Sequence, residues 1–450
     1  MDTFNDEQKK VYHALLSGEN AFMTGPGGSG KSYLIQHIVQ ALKERGKKVQ
    51  VCALTGAAAV LLECGAKTIH SWAGIGLGQD EPKIIARRIQ DNKYKRKPWK
   101  QVDVLIIDEV SMMSEHLFEV LDAVGRQCRP KNKRDLPFGG IQLLFSGDFF
   151  QLPPVGTTGK PKTGSFCFES ELWDTCFPNQ IELKQVYRQN DAKFQKVLRQ
   201  VRIGRISPST LTIMKECSEK IYDPKNDIVP TKLYPTRKKV DAINNEAMAA
   251  LGECEEQTFK IENFVDEEKK TNKSIQSSMA VVTPQQIDFE SKYLRDTINC
   301  EKEIKLKVGA QVMCTANIAV DGQFPVCNGS RGVIIRFEKD TGFPVVRFVS
   351  GFTRTISPHT WMSETYKWIG VKQVPLMLAW AITIHKSQGA SLDVAEIDVG
   401  SGVFECGQTY VALSRIRSLE GLYVKSFDAS KIKVNKKVLK YYDDLAVRAV

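Results

Sequence analysis

Hydrophobic and polar positions alternate along the first part of the chain with two different periods. Residues 6–17 and 31–45 carry apolar side chains every three or four positions, which predicts amphipathic helices. Short apolar runs separate and follow these segments and predict buried strands. The predicted strands cover residues 21–23, 49–54, 102–107 and 141–145. Strands that alternate with helices predict a parallel sheet with helices on both faces.

A second set of elements begins near residue 183. A helix is predicted around residues 192–203, and a strand followed by a helix around 231–251. Residues 255–300 are polar and match neither period, so that they are predicted to be irregular and receive no role. The region from about 74 to 100 interrupts the first set of elements, ends in a basic run and is predicted to be a small insertion.

Residues 304–360 show a third pattern. Short apolar runs are separated there by turn-forming pairs such as Asn328-Gly329. Such a pattern predicts a small antiparallel β-barrel. The alternation of strands and helices returns from about residue 377 to 427, which predicts that the β module is inserted into a second α/β domain.

Composition narrows the class of protein. The length of 450 residues suggests about three domains, and the net charge of +11 favours a polyanion such as nucleic acid, or an anionic membrane surface, as partner. No apolar run reaches the ~18 residues that cross a bilayer, and the first residues lack the apolar segment of a secretory signal. The 11 cysteines include no C-x-x-C pair, which disfavours zinc ribbons and favours a reducing, intracellular compartment.

A phosphate-binding loop is indicated between the first predicted strand and the next helix. Residues 25–32 read Gly-Pro-Gly-Gly-Ser-Gly-Lys-Ser and fit G-x-x-x-x-G-K-[ST] in the context that this motif requires. Glycines let the backbone wrap around phosphates with N–H groups pointing inward, and the helix N-terminus adds partial positive charge. Lys31 is predicted to reach the β and γ phosphates, and Ser32 to bind Mg²⁺.

Two acids and an amide follow the later predicted strands. Asp108 and Glu109 end the strand at 102–107, and Gln151 follows the strand at 141–145. Asp108 is predicted to hold Mg²⁺, and Glu109 to orient and deprotonate the attacking water. Gln151 is predicted to contact the γ-phosphate. An isolated Asp-Glu pair is common in solvated turns, but a P-loop upstream favours nucleotide hydrolysis.

Several further segments share their order with one known family. They are residues 4–8, 55–59, 68–76, 108–112, 147–155, 187–189, 384–389 and 410–415. Together with the P-loop, these segments resemble the motifs of the Pif-one DNA helicases, in the RecD-like branch of superfamily one. The resemblance extends from Phe4 to about Phe427, nearly the whole chain. It departs only slightly, with three alanines at 57–59 and with Val110 where isoleucine is frequent.

The resemblance implies an α/β fold with two RecA-like P-loop domains and ATP in the cleft between them. Residues 1–182 are then the first domain, and its insertion at about 74–100 carries the wedge that separates strands. Residues 183–303 and 361–450 form the second domain. Residues 304–360 form an SH3-like β-barrel inserted in the second domain.

The resemblance also implies site residues. Gln8 reads the adenine, while Arg188 and Arg415 stabilise negative charge on the transferred phosphate from across the cleft. The implied catalytic residues are Lys31, Glu109, Gln151, Arg188 and Arg415. The implied nucleotide and Mg²⁺ ligands are Gln8, Gly25, Gly27, Gly28, Ser29, Gly30, Lys31, Ser32, Asp108 and Gly389. The implied DNA contacts are Thr55, His70, Ser71, Pro153, His385, Lys386 and Ser387.

Two lysine-rich segments have alternative interpretations. Residues 93–100 interleave cations with Tyr94 and Trp99, which is typical either of a DNA contact or of a solvated charged loop. Residues 431–440 predict a helix with a solvated face rather than a nuclear import signal.

The function implied by the resemblance is an ATP-dependent DNA helicase that uses Mg²⁺ and moves 5′ to 3′ on single-stranded DNA. Its expected partners are single-stranded DNA and tailed, forked or G-quadruplex DNA, and no membrane. A monomer is expected, or a dimer on DNA. DNA repair, recombination, replication and telomere maintenance are the expected processes, in the nucleus or mitochondrion of a eukaryote or the cytoplasm of another cell.

Three other functions stay open at this point. The first is a DNA-stimulated translocase with little strand separation. The second is a nucleotide-switched binding protein with slow turnover, which would have no use for Glu109, Gln151 or the two arginines. A nucleotide kinase is the weakest alternative, because the sequence shows no lid and no acceptor site.

Overall fold

The structure is a computed structural model in which the chain divides into two compact units. The first unit combines Met1–Ile221 with Ile384–Val450, and the second is Tyr222–Thr383. The described residues are 4–62, 64–222, 229–267, 283–298, 300–320, 323–326, 328–363, 366 and 368–448.

Helices and strands alternate along both units. The α-helices are α1 (Asp6–Leu16), α2 (Lys31–Glu44), α3 (Gly56–Leu61), α4 (Ile69–Ala73), α5 (Pro82–Asp91), α6 (Lys93–Gln101), α7 (Glu115–Cys128), α8 (Trp173–Cys176), α9 (Ala192–Ile203), α10 (Pro208–Glu219), α11 (Arg237–Ala250), α12 (Pro284–Thr297), α13 (Gln408–Ser414) and α14 (Lys436–Arg448). The strands are β1 (Ala21–Thr24), β2 (Val49–Ala53), β3 (Lys67–Thr68), β4 (Val104–Asp108), β5 (Gln142–Gly147), β6 (Asn179–Glu182), β7 (Thr231–Tyr234), β8 (Glu256–Lys260), β9 (Glu262–Val265), β10 (Glu303–Lys307), β11 (Gln311–Cys314), β12 (Ile318–Val320), β13 (Gln323–Val326), β14 (Arg331–Phe337), β15 (Pro344–Phe348), β16 (Thr353–Thr355), β17 (His359–Met362), β18 (Ile369–Gln373), β19 (Leu376–Leu378), β20 (Ala381–Thr383), β21 (Ala395–Val399) and β22 (Leu422–Phe427). Among the residues described, no helix combines the length and the apolarity that crossing a membrane requires.

A parallel sheet in the first unit positions the candidate site. Its strand order is β3-β2-β4-β5-β1-β6, and β1 and β4 are buried along their whole length. Full burial is expected of strands that are covered on both faces. Because β1 and β4 both pair with β5, the carboxyl ends of these three strands are adjacent. The P-loop, Asp108 and the segment before Gln151 therefore meet at one edge of the sheet.

The first two helices begin as their sequences predict. The side chain of Asn5 accepts a hydrogen bond from the Gln8 N–H at 2.8 Å, and the Gln8 side chain accepts one from the Asn5 N–H at 3.1 Å. This reciprocal capping box fixes the start of α1. The apolar stripe of α2 packs into the same core as the sheet. It consists of Leu34, Ile35, Ile38, Val39 and Leu42.

The second unit consists mainly of antiparallel strands. Its largest sheet has the order β16-β15-β14-β11-β19, and smaller antiparallel sheets join β17, β18 and β9, and β10 with β8. Val312, Ile334 and Val346 share one buried core there. The antiparallel strands predicted within 304–360 are confirmed, while their closure into an SH3-like barrel stays a prediction.

Parallel pairing occurs in both units. β7 pairs with β20 in the second unit, and β21 pairs with β22 in the first. The predicted α/β class, with parallel sheet surrounded by helices and an antiparallel module, is therefore confirmed.

Residues 255–300 are more regular than predicted. They contain β8, β9 and α12, so the prediction of an irregular segment is wrong for these elements. The residues 268–282 and 299 lie outside the described part. β8 lacks the alternation of buried and exposed side chains that is typical of a strand, because only Phe259 is half-buried and the other residues of β8 are exposed. A strand with so few buried positions has almost no hydrophobic period to read.

The predicted insertion consists of the helices α5 and α6, and the basic run belongs to α6. Trp99 is fully buried, its Nε1 donates to the carbonyl of Ala73 at 3.1 Å, and its ring centroid lies 4.6 Å from that of Trp72. The interpretation of this segment as a charged loop is therefore wrong, and Trp99 belongs to the core. The exposed lysines of α6 are Lys93, Lys97 and Lys100.

The C-terminal lysine-rich helix has a buried side that the sequence interpretation left out. The helix α14 begins at Lys436, and Val438, Tyr442 and Leu445 on it are buried. The prediction of a solvated face omits this buried side, because Val438, Tyr442 and Leu445 pack into the first unit, to which α14 belongs.

The boundaries of the two compact units differ from those of the predicted domains. The predicted second domain began at residue 183, whereas the first unit continues to Ile221 and also includes Ile384–Val450. Two contacts show why these segments join the P-loop side of the chain. Arg202 of α9 pairs with Asp148, and the hydroxyl of Tyr410 in α13 accepts from the N–H of Gly27. The assignment of these segments to a second RecA-like domain stays a prediction.

We expect Trp99→Ala to destabilise the protein by roughly 3–5 kcal/mol, because it leaves a large cavity and an unpaired carbonyl at Ala73. Lys97→Ala on the same helix removes an exposed side chain and is the matched control, with an expected change within about 0.5 kcal/mol. Denaturant-induced unfolding of the full chain measures both. Equal stability of the two variants would contradict the placement of Trp99 in the core.

Candidate active site

The P-loop connects β1 to α2 through glycines in left-handed or related conformations. Gly28 and Gly30 have φ angles of 85° and 83°. A Cβ on Gly28 would lie 2.4 Å from the Cβ of Arg188, and one on Gly30 would lie 2.9 Å from Nε2 of Gln8. Only glycine satisfies both the backbone angle and the close approach. Side chains from other segments of the chain therefore contact the backbone of the loop directly.

Lys31 is the first residue of α2 and is held against the loop. Its Nζ donates to the carbonyl oxygens of Gly25 and Pro26 at 2.7 and 3.0 Å. Burial lowers the pKa of Lys31, and this effect is opposed by nearby carboxylates, among them Glu109 and Asp108. A bound phosphate would stabilise the charged ammonium in the same way.

Ser32 and Asp108 face each other across the end of the sheet. The Ser32 hydroxyl donates to Oδ2 of Asp108 at 3.5 Å. Burial, and next the charge of Glu109, raise the pKa of Asp108 to about 6. A carboxylate that burial and a like charge destabilise gains most from a cation. The pair thus fits a Mg²⁺ ion that also binds nucleotide phosphates.

Glu109 has an unusual backbone conformation. Its φ of 58° and ψ of 38° are left-handed, which is uncommon outside glycine and occurs at active sites. Oε2 of Glu109 accepts a hydrogen bond from Nε2 of Gln388 at 3.2 Å. The turn and the amide together direct the carboxylate into the site.

Two arginines lie against the P-loop. Arg188 contacts Gly28, as described above, and a Cβ on Gly27 would lie 3.5 Å from Nη2 of Arg415. Nη1 of Arg188 donates to the carbonyl of Ser414 at 3.0 Å. Residues that are more than 200 positions apart in sequence thus meet at one loop.

Arg415 is buried and Arg188 is half-buried, and neither pairs with a carboxylate in the described part of the chain. Burial lowers the pKa of both, and repulsion from Arg415 contributes to lowering that of Arg188 to about 10. Within the described residues, neither guanidinium has a carboxylate oxygen within 4.0 Å. Cations that are partly or fully withdrawn from water and lack an adjacent carboxylate create a positive potential that favours a phosphate group.

A cavity of about 310 Å³ collects these groups. All five predicted catalytic residues line it, as do seven of the ten predicted nucleotide and Mg²⁺ ligands, Lys31 being counted in both sets. The lining residues are Gly27, Gly28, Gly30, Lys31, Ser32, Tyr33, Ala58, Leu62, Asp108, Glu109, Gln151, Tyr187, Arg188, Gly389 and Arg415. Gln8, Gly25 and Ser29 are absent from the lining, and Gln8 is engaged in the capping box.

Three buried polar atoms near the cavity have no hydrogen-bond partner within the described chain. They are Ser29 Oγ, Gln151 Oε1 and Gln388 Oε1. A buried polar group without a partner is costly, and ligands or ordered water normally satisfy it. With the glycine cradle and the unpaired arginines, these atoms fit a nucleotide with its Mg²⁺.

Sequence reasoning missed part of the cavity wall. Tyr33 and Tyr187 line the cavity and are each 45% exposed, and the Tyr187 ring lies 3.5 Å from a Cβ placed on Gly30. Tyr187 directly precedes Arg188 in a segment that resembles a family motif, and this position could have indicated its place in the cavity wall. Gln388 could likewise have been identified from its position beside Gly389. Its contact with Glu109, however, joins positions 279 residues apart and is not visible in the sequence.

A buried ion pair behind the site was also missed. Nη2 of Arg202 lies 2.9 Å from Oδ1 of Asp148, and Asp148 is fully buried. The Tyr442 hydroxyl donates to Oδ1 of Asp148 at 3.2 Å and is also hydrogen-bonded to Thr24, the residue before the P-loop. The cluster thus connects the end of β1, the end of β5, α9 and α14. Its members are 54 and 294 positions apart, so no local pattern reveals it.

The predicted DNA contacts before residue 154 lie at the ends of elements. Thr55 caps α3, since its Oγ1 accepts from the N–H of Ala58 at 3.2 Å. His70 and Ser71 are half-buried in the short helix α4, and burial lowers the pKa of His70. Pro153 is half-buried after β5. None of these positions excludes a DNA contact.

The predicted DNA contacts after residue 383 differ in exposure. Lys386 is exposed and His385 is half-buried. Ser387 is fully buried and its hydroxyl donates to the carbonyl of Ile384 at 2.8 Å. Its position supports a structural role for Ser387 and gives no support to direct DNA contact.

Two family models match the chain. The model described as PIF1-like helicase matches residues 3–211, and the model described as DNA helicase Pif1, 2B domain, matches residues 295–337.

Similar proteins cover nearly all of the chain. The ATP-dependent DNA helicase PIF1 of Homo sapiens is 38% identical over 98% of this chain, which spans 64% of the length of that protein. The crystal structure of Pif1 helicase from Candida albicans is 33% identical with a TM-score of 0.79, over 99% of this chain and 100% of that chain. The crystal structure of Pif1 helicase from Bacteroides in complex with ADP-AlF3 and ssDNA is 28% identical with a TM-score of 0.69, over 98% and 96%.

We expect Lys31→Ala to weaken binding of a fluorescent ATP analogue by roughly 10- to 100-fold, because the phosphates lose a charge-assisted hydrogen bond. Lys43→Ala removes an exposed lysine near the other end of the same helix and should leave the affinity unchanged. A fluorescence titration measures both variants. Equal affinities would show that the P-loop lysine does not reach the nucleotide.

Proposed function

The chain belongs to the family of PIF1-like helicases, and from this membership we propose that it is an ATP-dependent DNA helicase. It translocates 5′ to 3′ on single-stranded DNA and unwinds duplex or structured DNA while it hydrolyses ATP to ADP and phosphate. Because the chain spans less than two thirds of the human relative, this activity is proposed for the chain itself.

One observation carries the hydrolytic part of the proposal. Lys31, Arg188 and Arg415 line one cavity together with Glu109 and Asp108. A protein that only binds a nucleotide needs the P-loop, but it does not need two arginines at the loop that lack carboxylate partners among the described residues. Cations placed around a transferred phosphate stabilise the charge that spreads over its oxygens in the transition state.

Each side chain in the cavity has a defined task. Lys31 leaves the carbonyls of Gly25 and Pro26 and binds the β and γ phosphates. Glu109, oriented by its turn and by Gln388, positions the attacking water and accepts its proton. Gln151 supplies a free amide oxygen next to the terminal phosphate. The arginines stabilise the developing charge, and Gln8 reads the adenine from beside Gly30.

Ser32 and Asp108 would hold Mg²⁺ together with phosphate oxygens. When bound, Mg²⁺ neutralises charge on the β and γ phosphates. The raised pKa of Asp108 supports this role, because a cation restores the carboxylate that burial disfavours. Ser32 lies within hydrogen-bonding distance of that carboxylate and completes the pair.

Single-stranded DNA is the proposed track. Thr55, His70, Ser71 and Pro153 contact it on one side, and His385 and Lys386 on the other, while Ser387 supports the loop. The net charge of +11 favours such a partner. The similar Bacteroides protein was crystallised with ssDNA and ADP-AlF3. The direction of movement rests on family membership.

The finer parts of the proposal concern architecture and setting. Residues 183–303 and 361–450 act as a second RecA-like domain that carries the SH3-like module at 304–360, and α5 and α6 form the wedge. The substrates include forked, tailed and G-quadruplex DNA, bound by a monomer or by a dimer formed on DNA. The processes served are repair, recombination, replication and telomere maintenance. The ten cysteines in the described part are thiols, which supports a reducing compartment, the nucleus or mitochondrion of a eukaryote or the cytoplasm of another cell.

We expect single-stranded DNA to stimulate ATP hydrolysis, and only the duplex with a 5′ tail to be unwound. Hydrolysis is measured with and without an oligonucleotide, and unwinding with 5′-tailed and 3′-tailed duplexes in parallel. Lys31→Ala is the inactive control for both assays. Stimulated hydrolysis without unwinding of either duplex would identify a translocase, and hydrolysis that DNA does not change would exclude the proposal.

We expect Glu109→Gln to bind ATP normally but to hydrolyse it roughly 10²- to 10⁴-fold more slowly, because the amide cannot accept the proton of the attacking water. The comparison needs a nucleotide titration and single-turnover hydrolysis of the same preparation. Loss of ATP binding in this variant would instead make Glu109 a structural residue of the turn.

A further inference from the structure

Phe404 is a large apolar side chain that projects into solvent near His385. It is 60% exposed, more than any other phenylalanine whose side chain the structure describes. The ring centroids of Phe404 and His385 are 6.3 Å apart, and their planes are inclined by only 18°. Two nearly parallel rings therefore lie side by side, and the exposed Lys386 directly follows His385 in the chain.

The exposure of Phe404 does not arise from a loose backbone. Its N–H donates to Oε1 of Gln408 at 3.2 Å, and Gln408 is fully buried. The preceding residue, Val403, is also buried, at 6% exposure. The chain on both sides is thus anchored in the core, while the ring between the anchors stays in water. A ring fixed in this way is ready to bind a flat ligand with little further ordering.

We propose that Phe404 is a base-stacking residue, and that it forms with His385 a platform for a nucleobase of single-stranded DNA. This inference rests on the proposed function, because DNA binding is itself proposed there. A single ring face satisfies one base, whereas a stable protein partner needs an interface of about 1,000 Å² or more. Lys386 adds the cation that a phosphate backbone requires.

The platform is directly connected to the nucleotide cavity. Gly407, with φ of 74°, begins α13, and a Cβ on it would lie 2.4 and 2.5 Å from the carbonyl oxygens of Phe150 and Gln151. The same short helix carries Tyr410, whose hydroxyl accepts from the Gly27 N–H at 2.9 Å. A shift of Gln151 or of the P-loop therefore displaces α13 and the residues before it, including Phe404. The affinity for the base then depends on the bound nucleotide.

The test is a titration of the full chain with a labelled oligothymidylate, followed by fluorescence anisotropy. We expect Phe404→Ala to weaken binding roughly 5- to 100-fold, the range for loss of one aromatic stack. Phe404→Trp should bind like the parent, while Phe404→Leu, apolar but without a ring face, should bind like the alanine variant. Phe352→Ala removes another exposed phenylalanine, which is 37% exposed and lies in the second unit, and should leave the affinity for the oligothymidylate unchanged.

Two readouts separate stacking from a general loss of structure. The dependence of the affinity on salt concentration should have the same slope in Phe404→Ala as in the parent, because the number of phosphate contacts is unchanged. On an abasic strand of equal length, the parent and Phe404→Ala should bind equally. A similar loss on both strands, or tight binding by Phe404→Leu, would overturn the stacking role.

The link to the nucleotide is tested in the same titration with and without a nonhydrolysable ATP analogue. The change in DNA affinity caused by the analogue should be smaller in Phe404→Ala than in the parent. An identical change would overturn the coupling through Gly407. If the parent chain itself does not bind single-stranded DNA, the proposed function fails, whereas a parent that binds and an alanine variant that binds equally well contradict only the role of Phe404.

Discussion

The buried ion pair between Asp148 and Arg202 is the interaction on which the candidate site depends most. It joins the segment after β5 to α9, and the Tyr442 hydroxyl brings α14 to the same carboxylate and to Thr24. Removing one partner of a buried pair leaves an uncompensated charge, at a cost of roughly 3–5 kcal/mol. The Gln151 N–H donates to the Asp148 carbonyl at 2.8 Å, so the ion pair also fixes the position of Gln151 in the wall of the cavity.

A second constraint is the closeness of α13 to the P-loop. Gly28 and Gly407 leave no room for a side chain, because Arg188 lies directly beside the first and the backbone of Phe150 and Gln151 beside the second. The cavity therefore has walls from both ends of the chain within one compact unit. Arg415 directly follows α13 and lines the cavity, so one short helix joins the cavity to the segment that carries Phe404.

The motif residues were predictable because their chemistry follows strand ends. The P-loop, Asp108 with Glu109, and Gln151 each follow an apolar strand, and parallel strands bring their carboxyl ends together. The errors lie where local pattern is weak. β8 has almost no buried face, Trp99 sits in a run of lysines, and α14 hides Tyr442 among charged residues. Composition dominated these segments, and their packing was decided by distant partners.

The sequence by itself determined the α/β class, the phosphate loop, the acidic pair and the family, because each is written in a local period or a contiguous motif. Only the tertiary structure decided which cations share a cavity, which arginines lack a carboxylate partner among the described residues, and that the ring of Phe404 stands in solvent beside His385. These properties depend on contacts between positions tens to hundreds of residues apart. They also depend on burial, which sets the pKa of Asp108 and of Arg188 and cannot be read from neighbours in the chain.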